Sequence, residues 1–288
     1  MKQIRQWVLT GVALASLNVN AQPLYWFAHK DSLEFLLIGT IHIGDASMYP
    51  LPQPVTEFLA QSDALVLEAD ISTKPHYTSN NEGVTTQEVL DDAQQEQLRN
   101  ISYELDLSPV RLLNASPWMV AATLQVKQME QLGYSAEYGV ESILIDQAQA
   151  ETLPILGLET LDEQADALAS VGENGTALLI DTLERWQESE HDFKCLVTSW
   201  QQGQQATLNQ LLEDSDEQVM DVLARDRNKQ WLERLVSNDF LPNANGRYTI
   251  AVGTLHLMGK DSLISLLTEH GFEVTPVIPK QSPIPDCE

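Results

Sequence analysis

The phrase Gly-Thr-aliphatic-His occurs twice in this chain, as Gly39-Thr40-Ile41-His42 and Gly253-Thr254-Leu255-His256, each directly behind a short apolar or β-branched run. At background residue frequencies a chance duplication is roughly a one-in-a-few-hundred event, so the two copies are read as parts of one device. The runs before them, residues 35–38 and 248–252, have the length and composition of buried strands. Each glycine then closes a strand, where the lack of a Cβ allows a turn or a close approach, and each histidine projects from the strand's C-terminal edge. In open α/β sheets that edge binds ligands. Two imidazoles brought there suit either a metal site or general-base chemistry, and spacing alone does not choose between them.

The remaining pattern fits an α/β (α+β) fold. Residues 24–27 and 33–41 read as a hairpin turning at 30–32, followed by a helix over 55–61 and a buried strand over 64–69 that carries Glu68 at its end. Residues 73–83, with His76, read as an exposed loop or lid. From 86 to about 151 the periodicity is helical, with Ser116 and Pro117 as N-cap and first-turn residue for 118–132, and a second helix opening at 138–141. A third buried strand, 153–159, ends on Glu159. Amphipathic helices are expected over 160–171, 176–202, 206–212 and 217–236, then a strand at 248–252, a helix at 260–270 capped by Gly271, and a strand at 272–277. Strand, Gly-Thr-x-His, helix, strand therefore describes both 34–69 and 248–278. The expectation is two related strand-rich halves forming one central sheet, with a mainly helical cap inserted between them over about 86–238.

The first residues have the form of a secretory signal. Lys2 and Arg5 precede an apolar stretch over 7–17, and Val19-Asn20-Ala21 offers a small-x-small site for cleavage after Ala21. The apolar stretch is too short to span a bilayer, and no later stretch approaches the roughly 20 apolar residues a transmembrane helix needs. An exported, periplasmic protein with one domain over 22–288 is expected. Sixteen basic residues against 42 acidic give a formal charge of −26, which repels nucleic acid and anionic membrane. In an oxidising compartment the two cysteines, Cys195 and Cys287, are free to pair.

The strand-end groups are His42, Glu68, Glu159 and His256. Two imidazoles with one or two carboxylates can hold a divalent transition metal and leave a position for water. The same groups can work without metal, one histidine serving as base and a carboxylate orienting it. No H-E-x-x-H, Gly-x-Ser-x-Gly, P-loop or Gly-x-Gly-x-x-Gly is present, which removes the common zinc-protease, serine-hydrolase and nucleotide-binding readings. Arg227 and Asn228, inside the helix expected over 217–236, offer a fork of donors for a substrate carboxylate or oxyanion.

With these residues placed, the chain resembles the TraB/GumN family, which includes bacterial GumN-like exported proteins and the animal Tiki proteases. The resemblance is carried by Gly39-Thr40-Ile41-His42, Ser62-Asp63-Ala64-Leu65-Val66-Leu67-Glu68, Tyr138-Gly139-Val140-Glu141, Gly157-Leu158-Glu159-Thr160 with Gln164, Arg227-Asn228, and Gly253-Thr254-Leu255-His256. It runs through nearly the whole mature chain in order. It implies a two-half α/β core similar in arrangement to erythromycin esterases and ChaN-like proteins. Through the Tiki proteases it implies an exported hydrolase, a metal-dependent peptidase acting on peptide or protein substrates, with zinc, manganese or cobalt as the ion. His42, Glu68 and His256 would be the catalytic and metal positions, and Arg227, Asn228 and Glu159 would meet substrate. The esterase cousins imply instead a histidine-activated water without metal, and the ChaN-like and PrgY-like members imply a non-catalytic haem-, metal- or peptide-binding protein. The pattern departs at Glu141, where Asp is expected, and no role is carried over to it.

Overall fold

The runs behind the two Gly-Thr-x-His phrases are adjacent parallel strands at the centre of one sheet. The computed structural model describes residues 21–71, 83–213, 217–237, 239–279 and 287. The proposed leader up to Asn20, and His76 with most of its loop, lie outside the described residues. In chain order the regular elements are β1 (Tyr25–Lys30), β2 (Leu33–Thr40), α1 (Gln53–Leu59), β3 (Ala64–Ala69), α2 (Thr86–Val89), α3 (Asp92–Glu104), α4 (Pro109–Leu113), α5 (Pro117–Gln131), α6 (Val140–Ala150), β4 (Ile155–Glu159), α7 (Leu161–Ser170), α8 (Thr176–Glu184), α9 (Ser189–Gln201), α10 (Gln205–Glu213), α11 (Glu217–Met220), α12 (Asp226–Val236), β5 (Arg247–Gly253), α13 (Leu263–Glu269) and β6 (Glu273–Val277).

The six strands lie in the order β4-β3-β5-β2-β1-β6. β4, β3, β5 and β2 run parallel, while β1 is antiparallel to both β2 and β6. Each half is thus a strand-helix-strand crossover, and the two halves interleave, because β5 of the second half lies between β2 and β3 of the first.

Strand alternation sorts the core into two layers. Phe35, Leu37, Ala64, Val66, Tyr248, Ile250 and Val252 face one side, where Trp231 and Leu235 of α12 and Leu263 and Leu267 of α13 cover them. Leu36, Ile38, Leu65, Leu67 and Ala251 face the other side, under Val55 of α1, Val140 and Leu144 of α6 and Trp200 of α9. At roughly 25 cal/mol per Å² of apolar area removed from water, these two layers are the main favourable term in folding. A third cluster, built on Leu98, Ile101, Val120, Leu124, Leu179 and Leu183, holds α3, α5 and α8 together away from the sheet. The segment 86–238 is therefore only partly a cap, since it also gives β4 to the sheet edge and α6, α9 and α12 to its faces.

The helix expected over 176–202 is two helices, α8 and α9, separated at 185–188. No Gly or Pro marks this break. It arises because Leu179, Leu183 and Trp186 belong to the outlying cluster, whereas Val197 and Trp200 belong to the sheet layer. Cys195 of α9 is joined to Cys287 by a disulfide with Cα atoms 5.5 Å apart, across 92 residues of sequence. Among the described residues no helix is long and apolar enough to cross a membrane.

Candidate active site

The site forms where β2, β3, β4 and β5 end on the same edge of the sheet. The two Gly-Thr-x-His phrases are staggered by one residue, Thr40 pairing with Gly253. Thr254 Oγ1–H donates to Thr40 O at 2.9 Å, so the phrases bind each other directly. Both glycines serve close approach. A Cβ on Gly39 would meet Thr254 Oγ1 at 2.8 Å, and one on Gly253 would meet Glu68 Oε1 at 3.0 Å. The buried Trp200 indole donates to Gly39 O at 2.7 Å and fixes the first turn from below.

Because strand faces alternate, the site has two sides. Thr40 continues the Leu36, Ile38 face and meets α6; Glu68 continues the Ala64, Val66 face and meets α12. On the α6 side, His42 Nδ1 lies 2.7 Å from Glu141 Oε1, with 68% of the histidine side chain and 10% of the glutamate side chain exposed. The Thr40 hydroxyl donates to the same oxygen. Glu141 Oε2 is buried with no hydrogen-bond partner among the described residues. Glu141 in turn raises His42 to about 9; burial opposes this, the hydrogen bond to Glu141 and the charge of Glu68 add to it, and Arg227 opposes it. Water on the open face of the imidazole moderates the pairing.

Local sequence sets this pair up. Val140 N–H donates to Ile41 O at 3.0 Å, and Gly139, just before α6, lies so close to the loop after β2 that a Cβ there would meet His42 O at 2.3 Å. Gly139 has φ −62° and ψ 143°, open to any residue, so it is required for contact and not for conformation. Gly139→Ala should therefore displace the His42 loop from α6. The expected cost is about 1–3 kcal/mol, the usual range for overpacking; a melting curve that matches wild type would contradict this.

On the α12 side the groups form a buried ion network. Arg227 Nη2–H donates to Glu68 Oε2 at 2.6 Å and to Glu159 Oε1 at 2.5 Å, Nε–H donates to Glu159 Oε2 at 3.1 Å, and Nη1–H donates to Leu223 O at 2.7 Å. The guanidinium also lies 4.8 Å from the Trp231 ring centre. Glu68 receives Gly253 N–H at 2.6 Å and the Gln164 amide at 3.1 Å. Gln164 is delivered by the capping box Thr160/Glu163, which starts α7 directly after Glu159. Arg227 follows a π-helical stretch, Asp221–Arg225, a distortion that re-aims side chains and recurs at functional sites.

Hydrogen bonding assigns the tautomer of His256. Asn228 Nδ2–H donates to His256 O at 3.3 Å and to Asp261 O at 3.0 Å, which leaves Asn228 Oδ1 to accept from His256 Nδ1–H at 2.8 Å. The lone pair of Nε2 then faces Arg227 Nη1 at 3.3 Å, with Glu68 Oε1 3.7 Å away and the Trp231 ring tilted by 35° against the imidazole, their centres 4.3 Å apart. Burial holds His256 down to about 4; Glu68 opposes this, and Arg227 and His42 reinforce it. Burial pushes Glu68 up, but His256, His42, Arg227 and the Gly253 N–H outweigh it and bring it to about 2. The two histidines of the repeated phrase are thus opposite in state, one an exposed imidazolium and the other a buried neutral ring.

The predicted residues fall as follows. Glu68, Glu159, Arg227, Asn228 and His256 come together in direct contact. His42 is paired with Glu141; the charges of Glu68 and Arg227 act on it, and its own charge acts on His256. Arg227, Asn228 and Glu159, expected to meet substrate, are engaged by the chain itself. Glu141 and Gln164 complete the two sides, and their signal in the sequence is their place in or beside the Tyr138-Gly139-Val140-Glu141 and Gly157-Leu158-Glu159-Thr160 motifs.

The profile of the TraB/PrgY/gumN family matches residues 24–276. The chain belongs to that family. Its similar relatives include the uncharacterized protein YbaP of Escherichia coli (strain K12), 34% identical over 81% of this chain and 87% of that protein. The protein of the same name from Shigella flexneri is 34% identical over 80% of this chain and 86% of its own length. No solved structure matches. For a TraB/PrgY/gumN member the metal expectation can be tested on the donors themselves. Glu68 spends both oxygens on Arg227, Gln164 and Gly253, His256 Nε2 faces a guanidinium, and His42 Nδ1 is held by Glu141. Among the described residues no three His, Cys, Asp or Glu side chains gather into a metal-holding group, so His42, Glu68 and His256 do not fit an ion in this arrangement.

Proposed function

We propose that the protein is an exported hydrolase of acyl bonds, with peptides as its substrates and His42 as the base that activates water. The observation carrying this reading is the pairing of an exposed imidazole with a buried carboxylate, His42 Nδ1 to Glu141 Oε1, at the sheet edge where α/β proteins bind ligands. Glu141 holds Nδ1–H, and once the ring has given up its second proton Nε2 is free to take one from water as it attacks a carbonyl. Arg227, whose donors are all engaged, contributes positive charge beside the reaction centre and rigidity beneath it. Export to the periplasm is supported by Lys2, Arg5, the apolar stretch 7–17 and the cleavage pattern ending at Ala21.

The test is cleavage of peptide and ester libraries by the purified mature chain, with chelator and with added zinc, manganese or cobalt. Turnover that survives chelation and disappears in His42→Gln is the expected result. Turnover that requires the ion would instead favour the metal-dependent peptidase implied by the Tiki proteases. No cleavage, together with stoichiometric haem, metal or peptide binding, would replace the enzyme reading by a binding protein.

A further inference from the structure

We infer that the Cys195–Cys287 disulfide is a redox latch on the His42 side of the site: a dithiol that opens it loosens α9 and, through α9, the loop that carries His42. The effect on turnover rests on the hydrolase reading; the coupling itself does not.

The bond closes a ring of contacts across the sheet. β6 pairs with β1 and β1 with β2, and β2 runs into the first Gly-Thr-x-His phrase. There the Trp200 indole of α9 donates to Gly39 O at 2.7 Å. Cys195, earlier on the same helix, leads through the disulfide to Cys287 and so back to the chain beyond β6. The C-terminal end of α9 reinforces the ring. Gln201 Nε2–H donates to Ser47 Oγ at 2.8 Å, within the loop after His42, and Gln201 O accepts Gln22 N–H at 2.7 Å, just before β1. Gly203 follows in a left-handed turn, φ +61°, so close to the chain beyond β6 that a Cβ there would collide with Pro279. Opening the disulfide frees α9 from the β6 side, and the contacts it makes at Gly39 and Ser47 flank His42.

The two sulfurs are unequal. Cys195 is buried and Cys287 partly exposed, so an incoming thiolate reaches Cys287 Sγ. A bond forms from the reductant's sulfur to Cys287 Sγ, the Cys195–Cys287 bond breaks, and its electron pair leaves on Cys195 Sγ. His191 Nε2, one turn earlier in α9, lies 3.6 Å from Cys195 Sγ and is placed to donate to that departing thiolate. The reductant's second thiol then attacks the mixed disulfide and expels Cys287 Sγ. The dithiol is oxidised to a disulfide, and the two protons it loses end on the cysteines. The network of Glu68, Glu159, Arg227 and His256 is held by α12 on the other face of the sheet and stands outside the ring.

Hydrogen exchange of the purified protein before and after dithiothreitol is the test, with thiols counted in parallel. Reduction without denaturant should expose both thiols and speed exchange over 39–50 and 189–203 by about tenfold or more, while α3 and α12 stay as they were; reoxidation should reverse it. His191→Leu should slow the appearance of thiols by about threefold or more. Trp200→Phe keeps an aromatic ring but not the donor to Gly39, and should make 39–50 exchange fast in either redox state. Hydrolysis should fall on reduction and return on reoxidation. Four results overturn the latch: exchange over 39–50 that ignores reduction, exchange that rises equally in α3 and α12, a bond that opens only when the chain unfolds, or full turnover in the reduced protein. A protein that hydrolyses nothing in either state counts against the hydrolase reading, and the exchange result still decides the latch.

Discussion

His42→Gln, which keeps a donor against Glu141, should lower turnover by about 10²–10⁴-fold, the usual contribution of a positioned acid or base. The fold should survive, because the imidazole is mostly exposed. The pH profile carries the sharper signature. Glu141 stabilises the imidazolium, so the free base that water activation needs accumulates only as pH approaches about 9, and the rate should climb through the neutral and alkaline range. In Glu141→Gln the carboxylate is gone and the titration of His42 should fall back toward its ordinary value, near 6.5. The climb should then finish at a lower pH, even if its plateau is reduced by looser orientation. Identical profiles for wild type and Glu141→Gln would remove His42 from the role of base. A merely structural Glu141 would change the plateau without moving the midpoint.

Acidification should weaken the fold in two successive steps. His256 titrates at about 4 in the folded protein and near 6.5 when released, so between those values the unfolded chain binds the proton and the folded one does not. Its contribution is present above about 6.5 and is lost as pH falls toward 4. Glu68 behaves alike one step lower, with stability present above 4.5 and lost as pH falls toward about 2. At about 1.4 kcal/mol per pH unit each step is of the order of a few kcal/mol, comparable with a large share of a domain's net stability. His42 has the opposite sign, contributing below 6.5 and fading as pH rises through about 9, so stability is highest between the two limits. Thermal unfolding of wild type and His256→Gln at a series of pH values tests this. The variant should lose the upper step of the acid limb, and a wild-type melting temperature unchanged between neutral pH and about pH 4 would refute the account.

Much of this was legible from local pattern. The apolar runs before the repeated phrase, the strand 64–69 and the Ser116-Pro117 start are signals confined to a few neighbouring residues, and their elements are β2, β5, β3 and α5. The gap between α8 and α9 left no local trace, because it reflects which cluster each helix joins and no helix-breaking residue lies there. The site divides in the same manner. His42, Glu68 and His256 stand out by type and place, but their partners depend on tertiary docking. Arg227 reaches Glu68 across 159 residues of sequence. Glu141 reaches His42 because Gly139 lets α6 press on the loop. A guanidinium neutralised from inside looks the same in sequence as one waiting for substrate.

The interleaving of the two halves bears on when this molecule can exist as a folded object. β5, the strand at the heart of the sheet, begins at Arg247, and its partner β2 ends at Thr40. Until β5 is in place, β2 and β3 have no neighbour in common, and neither face of the sheet has its full cover. Pairings of such long sequence range form slowly, since distant parts of the chain must be brought together first. A chain emerging from a ribosome thus stays open until nearly all of it has appeared, and the groups at the strand ends gather as one of the last events.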